Sequence, residues 1–193
     1  MASGGGSAPA RIRLDAAAGA GFAYIVGVPV ELAAATEFSG SGDASFVFSA
    51  PLTGSSPITK SGASVLMLGG TTPHTAAGPW ILQGGGLAFE PGLDQRLPAN
   101  VAVRFANTAL WDLGGTSHAM SDFDLLSPGT QAALHATIAN GSWNFTSTAA
   151  IQLGPVTSNT GPINNNSCIL DLSELAQASL ASTSDIAIQP KTY

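Results

Sequence analysis

The sequence predicts an all-β domain, an antiparallel β-sandwich or jelly-roll-like barrel with one or two short helices and an extended N-terminal arm. Three observations carry that expectation. The first is the stretch Leu97 to Trp111, where Val101, Val103 and Phe105 alternate with Ala102, Arg104 and Ala106, so that one face of an extended segment is apolar. The second is a series of short apolar runs separated by Gly and Pro, the punctuation of a sheet protein with many turns. The third is sparse charge: Asp, Glu, Lys and Arg make up 9% of the chain, against roughly 25% in an ordinary soluble domain.

Residues 1–20 read as a flexible N-terminal arm and linker, and residues 21–193 as a single β-rich domain. Met1 to Pro9 is rich in Gly, Ser and Ala and has the composition of a flexible tail. Arg11-Ile-Arg-Leu then alternates charged and apolar residues, as a short edge strand or an arm laid on a neighbour does. Arg11, Ile12, Arg13 and Leu14 are therefore the candidate partner-binding residues, adding a strand to a neighbour's sheet with the arginines toward an acidic partner. Phe22 to Leu32 reads as a long strand bulged near Gly27 and Pro29. Ser39-Gly-Ser-Gly-Asp is a turn signal, and Phe46 and Phe48 share a face of the strand after it.

Ala63 to Leu68 is a nearly continuous apolar run, the pattern of a strand buried on both faces. Trp80 to Gln83 and Leu87 to Glu90, joined by Gly84-Gly-Gly, have hairpin spacing. Pro98 sets the start of the Val101–Phe105 strand, since proline is tolerated at a first strand position. A helix is predicted over Pro128–Ala139: Ser127 can cap it, Pro128 suits its first position, Leu134 and Ile138 lie one turn apart, and Asn140-Gly141 is a left-handed stop. Trp143 to Leu153 returns to strand. Asp171 with Glu174 fits a capping box for a second short helix through Leu180, and Ile186-Ala-Ile is a terminal strand. No period of 20–50 residues stands out, which argues against a solenoid or propeller.

The totals exclude several functions. The net charge is −6, the lysines are Lys60 and Lys191, and the four arginines form no run, so nothing is arranged to neutralise phosphates and no nucleic acid is expected as a partner. No apolar run approaches the ~20 residues of a membrane span, and the Gly/Ser/Ala-rich start lacks the apolar core of a secretory signal. With a mean hydropathy of +0.26 and so little charge, much of the surface is expected to be covered by neighbouring copies. Cys168 is the single cysteine; it reads as a small buried apolar residue, and no intrachain disulfide is possible. The triplets at Asn140, Asn144 and Asn165 match the glycosylation pattern and read as chance matches.

Catalytic and metal chemistry find little support. His118 with Asp122 and Asp124 offers too few ligands at a spacing that matches no strong cation pattern. His74 lies in a predicted loop without a nearby carboxylate, and His135 lies on the predicted helix. There is no Gly-x-Ser-x-Gly elbow, and neither glycine cluster has the frame or lysine of a phosphate loop. No enzyme, cofactor or metal is expected. Trp80, Trp111 and Trp143 could form a sugar-stacking platform, but each adjoins an apolar strand pattern, so a core or subunit-interface position is expected.

Leu97-Pro-Ala-Asn-Val-Ala-Val-Arg-Phe-Ala-Asn-Thr, followed by Leu113-Gly-Gly-Thr-Ser, resembles the closing strands of many small β-rich virion proteins of tailed bacteriophages. These share an Ala/Gly/Thr-rich style, little charge or cysteine, and a flexible N-terminal segment. The resemblance covers about a tenth of the chain as a motif. It implies a capsid decoration (cement) protein, a homotrimer on the capsid surface that binds the major capsid protein or other virion subunits and stabilises the phage head. A tail or fibre component of such a virion, or a carbohydrate-binding β-sandwich, are the alternative expectations.

Overall fold

A computed structural model describes residues 8–15, 22–126, 134–146, 151–154, 168–180 and 186–188. Over these residues the chain is a parallel β-solenoid, each coil laying its strands on those of the coil before. The first coil carries β1 (Ala10–Arg13), β2 (Ala23–Val26) and β3 (Val30–Glu31). The second carries β4 (Thr36–Ser39), β5 (Ser45–Phe48) and β6 (Leu52–Gly54), and the third β7 (Ile58–Lys60), β8 (Val65–Leu68) and β9 (Thr75–Ala76). Then follow β10 (Trp80–Leu82) and β11 (Gly86–Phe89), β12 (Ala102–Phe105) and β13 (Ala109–Met120), and β14 (Asp122–Leu126) and β15 (Leu134–Phe145). Last among the described strands are β16 (Ile151–Gly154), β17 (Cys168–Asp171), β18 (Gln177–Leu180) and β19 (Ile186–Ile188).

These strands stack into three sheets. One runs β1-β4-β7-β10-β12-β14-β16-β19, the second runs β17-β15-β13-β11-β8-β5-β2 with β18 also on β15, and a short third sheet runs β3-β6-β9. Neighbouring strands pair in parallel in all three sheets. The expected antiparallel sandwich or jelly roll is therefore wrong, and so is the argument against a solenoid. Alternation along a strand says only that one face is buried; the direction of the neighbouring strand is decided by how the chain turns between them. At Gly84-Gly-Gly it does not reverse into a hairpin. It rounds a corner, leaving β10 in the first sheet and β11 in the second. Gly85 has φ +61°, and a Cβ there would press into the Ser64 carbonyl of the coil below, so only glycine turns this corner without strain.

The predicted helices are also absent from the described residues. Ser127 and Pro128 lie outside those residues, but Leu134, Ala136 and Ile138 are consecutive inward positions of β15. A spacing of four fits a strand's period as well as a helix's, and here the strand wins because β13 and β17 offer a ladder on both sides. Asn140, at φ 53°, is no helix stop: inward parity changes from even to odd there, and Gly141, Trp143 and Phe145 continue the core face. In β13 Gly114 and Gly115, both with positive φ, do the same, and the register of the pair shifts between Asp112 and Thr116. Asp171 does accept a hydrogen bond from the Ser173 amide, 3.0 Å, as a capping residue would. The chain then turns into β18, with the Ala176 amide donating to the Gly141 carbonyl at 2.9 Å.

Stacking turns sequence alternation into columns of buried side chains. Phe38, Lys60, Leu82, Phe105 and Leu125 are successive partners across the first sheet. Thr36, Ile58, Trp80, Val103 and Phe123 form the column beside them. Opposite, Phe46, Leu66, Leu87, Trp111 and Ile138 line the second sheet. All are buried. The strand read from Val101 to Phe105 presents the expected face inward, with Val101, Val103 and Phe105 in the core and Ala102 and Arg104 half-buried outside.

Buried polar side chains tie the corners where backbone groups leave the ladders. Lys60 Nζ donates to the carbonyls of Ser61 (2.7 Å), Gly62 and Gly84 (both 3.4 Å); burial pushes its ammonium down to about 8. Arg96 forks between the Glu90 carbonyl (Nε, 2.8 Å) and the Gly70 carbonyl (Nη1, 2.9 Å). His74 Nδ1 accepts from the Leu52 amide at 3.0 Å, which leaves Nε2 to donate to the Gly69 carbonyl at 3.2 Å. Each satisfies a buried carbonyl or amide whose desolvation would otherwise cost about 1–3 kcal/mol.

Candidate functional site

A groove among the described residues lies on the outer face of the second sheet, where the bulges of β13 and β15 fall side by side. Asp112 and Asn140 stand at the two bulges: Asp112 Oδ1 accepts from the Gly114 amide at 2.8 Å, and Asp112 Oδ2 accepts from Asn140 Nδ2 at 2.9 Å. The carboxylate is thereby held in one orientation. Across from it, the turn between β17 and β18 brings Ser173, Glu174 and Leu175 alongside, fixed by the Asn140 amide donating to the Glu174 carbonyl at 3.0 Å. Met67 and Ala88 lie on the floor. The result is a groove of about 820 Å³. Met67 also borders a second hollow, of about 330 Å³, between Gly42–Phe46 and Val65.

The chemistry of the groove is that of hydrogen bonding over an apolar floor. Asp112 and Glu174 supply acceptors, Ser142 and Ser173 supply hydroxyls, and no cation lines it among the described residues. Such a lining suits a neutral ligand bearing hydroxyl or amide groups and disfavours an anion. Asp112, Ser142 and the Ser173-Glu174 pair stand 30 and 31 positions apart in sequence, so no local motif marks them. The signal present in the chain is the pair Gly114-Gly115 and Asn140-Gly141, which becomes meaningful only once Asp112 is known to pair with Ala139 in register.

Residues singled out by the sequence are distributed elsewhere. Arg11, Ile12, Arg13 and Leu14 do not form an extended arm: β1 is laid on β4 of the same chain, Arg11 with Glu37 and Ile12 with Phe38. Arg11 forms a 2.9 Å ion pair with Glu37, Arg13 pairs with Asp15, and Leu14 is buried. The Ser61 hydroxyl and Arg11 together hold the Glu37 carboxyl below its usual range. Residues 1–7 and 16–21 of the expected arm and linker lie outside the described residues.

His118, Asp122 and Asp124 do not meet. His118 is in the core, 1% exposed, tilted against Phe89 at 4.4 Å and hydrogen-bonded to Thr116 Oγ1 at 3.1 Å. Asp122 and Asp124 point out of the first sheet, where Arg104 lies 3.6 and 3.3 Å from them. Burial, and then the neighbouring Asp122, raise the Asp124 carboxyl despite that arginine. No cluster of three metal-ligating side chains occurs among the described residues.

Trp80, Trp111 and Trp143 are all buried, the last packed on Phe123 at 5.1 Å, so they form no surface platform. His135 lies 3.4 Å from Asp171 on the outer surface. The amides of Asn140 and Asn144 are engaged with Asp112 and Ser117; Asn165 is outside the described residues, and Cys168 is placed by its backbone in β17. No helix of the described residues is long and apolar enough to cross a membrane. Compared with protein-family models, with curated proteins and with solved structures, the chain matches none.

Proposed function

We propose that the chain is a non-enzymatic virion structural protein of a tailed bacteriophage, serving in the tail or a fibre rather than as a decoration protein on the head. The observation that carries this reading is the elongated stack itself. The eight rungs of the first sheet, at about 4.8 Å each, make a rod of about 34 Å. Its coils each contact only their neighbours, and such a rod suits a spacer or fibre segment better than a compact plug across capsid subunits. Sparse charge suits packing against other virion subunits. The groove between Asp112, Asn140 and Glu174 offers a neutral, hydroxyl-bearing ligand such as a surface glycan hydrogen bonds along the side of the rod.

Location on the particle separates the alternatives. Gold-labelled antibodies raised against the purified chain, applied to phage particles from the source culture, should decorate tails in negative stain. Label spread over the head would return the protein to the decoration class, and particles free of label would overturn the virion reading altogether.

A further inference from the structure

We infer that the first coil is a docking surface for a second copy of this chain, the two solenoids meeting end to end across a two-fold axis. Among the described residues no strand lies beyond β1, β2 or β3; Leu14 and Leu32 of this coil are buried, but the apolar side chains around β2 are exposed. Tyr24 belongs to the inward column and stacks on Phe46 at 5.8 Å with 17° between the rings. Phe46 is 7% exposed; Tyr24, one rung further out, is 51% exposed, with no described strand on its other face. Phe22 (64%) and Val28 (64%) are exposed beside it, and Ile25 (65%) is exposed on the outer face of the same strand. Solenoids ordinarily close such ends with a polar repeat; here the charged residues are Arg11, Arg13, Asp15 and Glu31, on or beside β1 and β3, while the β2 side presents Phe22, Tyr24 and Val28.

The outer edge of β2 has no partner strand among the described residues. The Phe22 and Val26 carbonyls accept from the Ser45 and Ser49 amides, so by alternation the peptide groups of Ala23 and Ile25 face away from β5. Two such edges related by a two-fold axis run antiparallel and can satisfy each other.

Charge and coil size suit a second copy in this arrangement. The described residues of the first coil carry Arg11, Arg13, Asp15 and Glu31, two charges of each sign, on a chain of net charge −6. Two of these ends approach without the repulsion that the rest of the surface would impose. Head-to-tail stacking would instead set a short coil on a long one. Partners are 22 residues apart at the first coil (Ala23 with Ser45) but 35 apart at the far end (Ile151 with Ile186).

Sedimentation equilibrium of the full chain should give twice its 19.3 kDa mass. Ile25→Pro removes the outward amide while leaving the bonds to β5 in place, and Tyr24→Lys places a like charge on each side of the axis. Both should sediment as monomers with an unchanged β-sheet dichroism spectrum. A parent protein that is monomeric at high concentration, a trimer, or a dimer that survives both substitutions would overturn the inference. Should Ile25→Pro fail to fold, Tyr24→Lys decides it alone.

Discussion

Phe105→Ala is expected to lower the unfolding free energy by about 3–5 kcal/mol, the range for truncating a fully buried phenylalanine. The ring is 0% exposed, lies between Leu82 and Leu125 in the column of the first sheet, and meets Phe123 edge-on at 5.8 Å. Backbone ladders hold the rungs above and below at fixed spacing, so the column cannot slide to fill the space, and the cost belongs at the upper end of the range. Arg104→Ala, one residue away on the outer face, should change stability by under about 1 kcal/mol, because it removes partly exposed ion pairs. Denaturant unfolding of the two variants reads the contrast directly. Equal effects would mean that the strand's faces are reversed.

Acid should destabilise the fold through His118. Burial against Phe89 and Trp111, reinforced by the charge of Arg96 and only partly countered by Asp94, pushes its imidazole down to about 4. In the unfolded chain it titrates near 6.5. At neutral pH both states hold the neutral ring and nothing is lost. As pH falls below about 6.5 only the unfolded chain takes up a proton, so stability drops, and the drop levels off near pH 4 when the folded ring is protonated too. At about 1.4 kcal/mol per pH unit, His118 withdraws about 3 kcal/mol over that window. Burial lowers the His74 imidazole as well, which adds loss of the same sign. In His118→Phe the aromatic packing is retained, and Thr116 Oγ1 still donates to the Leu113 carbonyl. The fall in melting temperature between pH 7 and 4.5 should therefore be shallower than in the parent. An identical fall in both proteins would place the acid sensitivity elsewhere.

Strands were legible in this chain, and their stacking was not, for identifiable reasons. A 22-residue repeat is present: Thr36 pairs with Ile58 and Ile58 with Trp80. Ser39-Gly40, Ser61-Gly62 and Gln83-Gly84 recur at the same interval. It is hidden because the rung position just before each of those dipeptides holds Phe38, then Lys60, then Leu82. A lysine there breaks the apolar pattern, and only the carbonyls that converge on its ammonium at the corner explain its burial. Beyond Trp80 the interval drifts, to 23 between Trp80 and Val103 and to 20 between Ala102 and Asp122, since corners of a solenoid take insertions at little cost.

The candidate groove was less legible still. Gly114-Gly115 reads locally as a loop and Asn140-Gly141 as a helix stop, yet each is a bulge that keeps a twelve-residue strand inward-facing on both sides. The resemblance to phage virion proteins rested on the residues around Val101–Phe105, and those form one rung of many. Sparse charge and abundant small residues fit a rod of coils as well as the expected sandwich.

The parallel stack itself is tested most directly by spin labels on the outer face of the first sheet. Thr59, Ile81 and Arg104 are successive register partners there and only partly buried, so nitroxides can be attached at each in a Cys168→Ser background. Labels at 59 and 81 should sit one rung apart, about 4.8 Å along the stack, and give strong spin–spin broadening in the continuous-wave spectrum. Labels at 59 and 104, two rungs apart, should give weaker broadening. Sharp spectra from the 59/81 pair, equal to the sum of the two single labels, would contradict the solenoid.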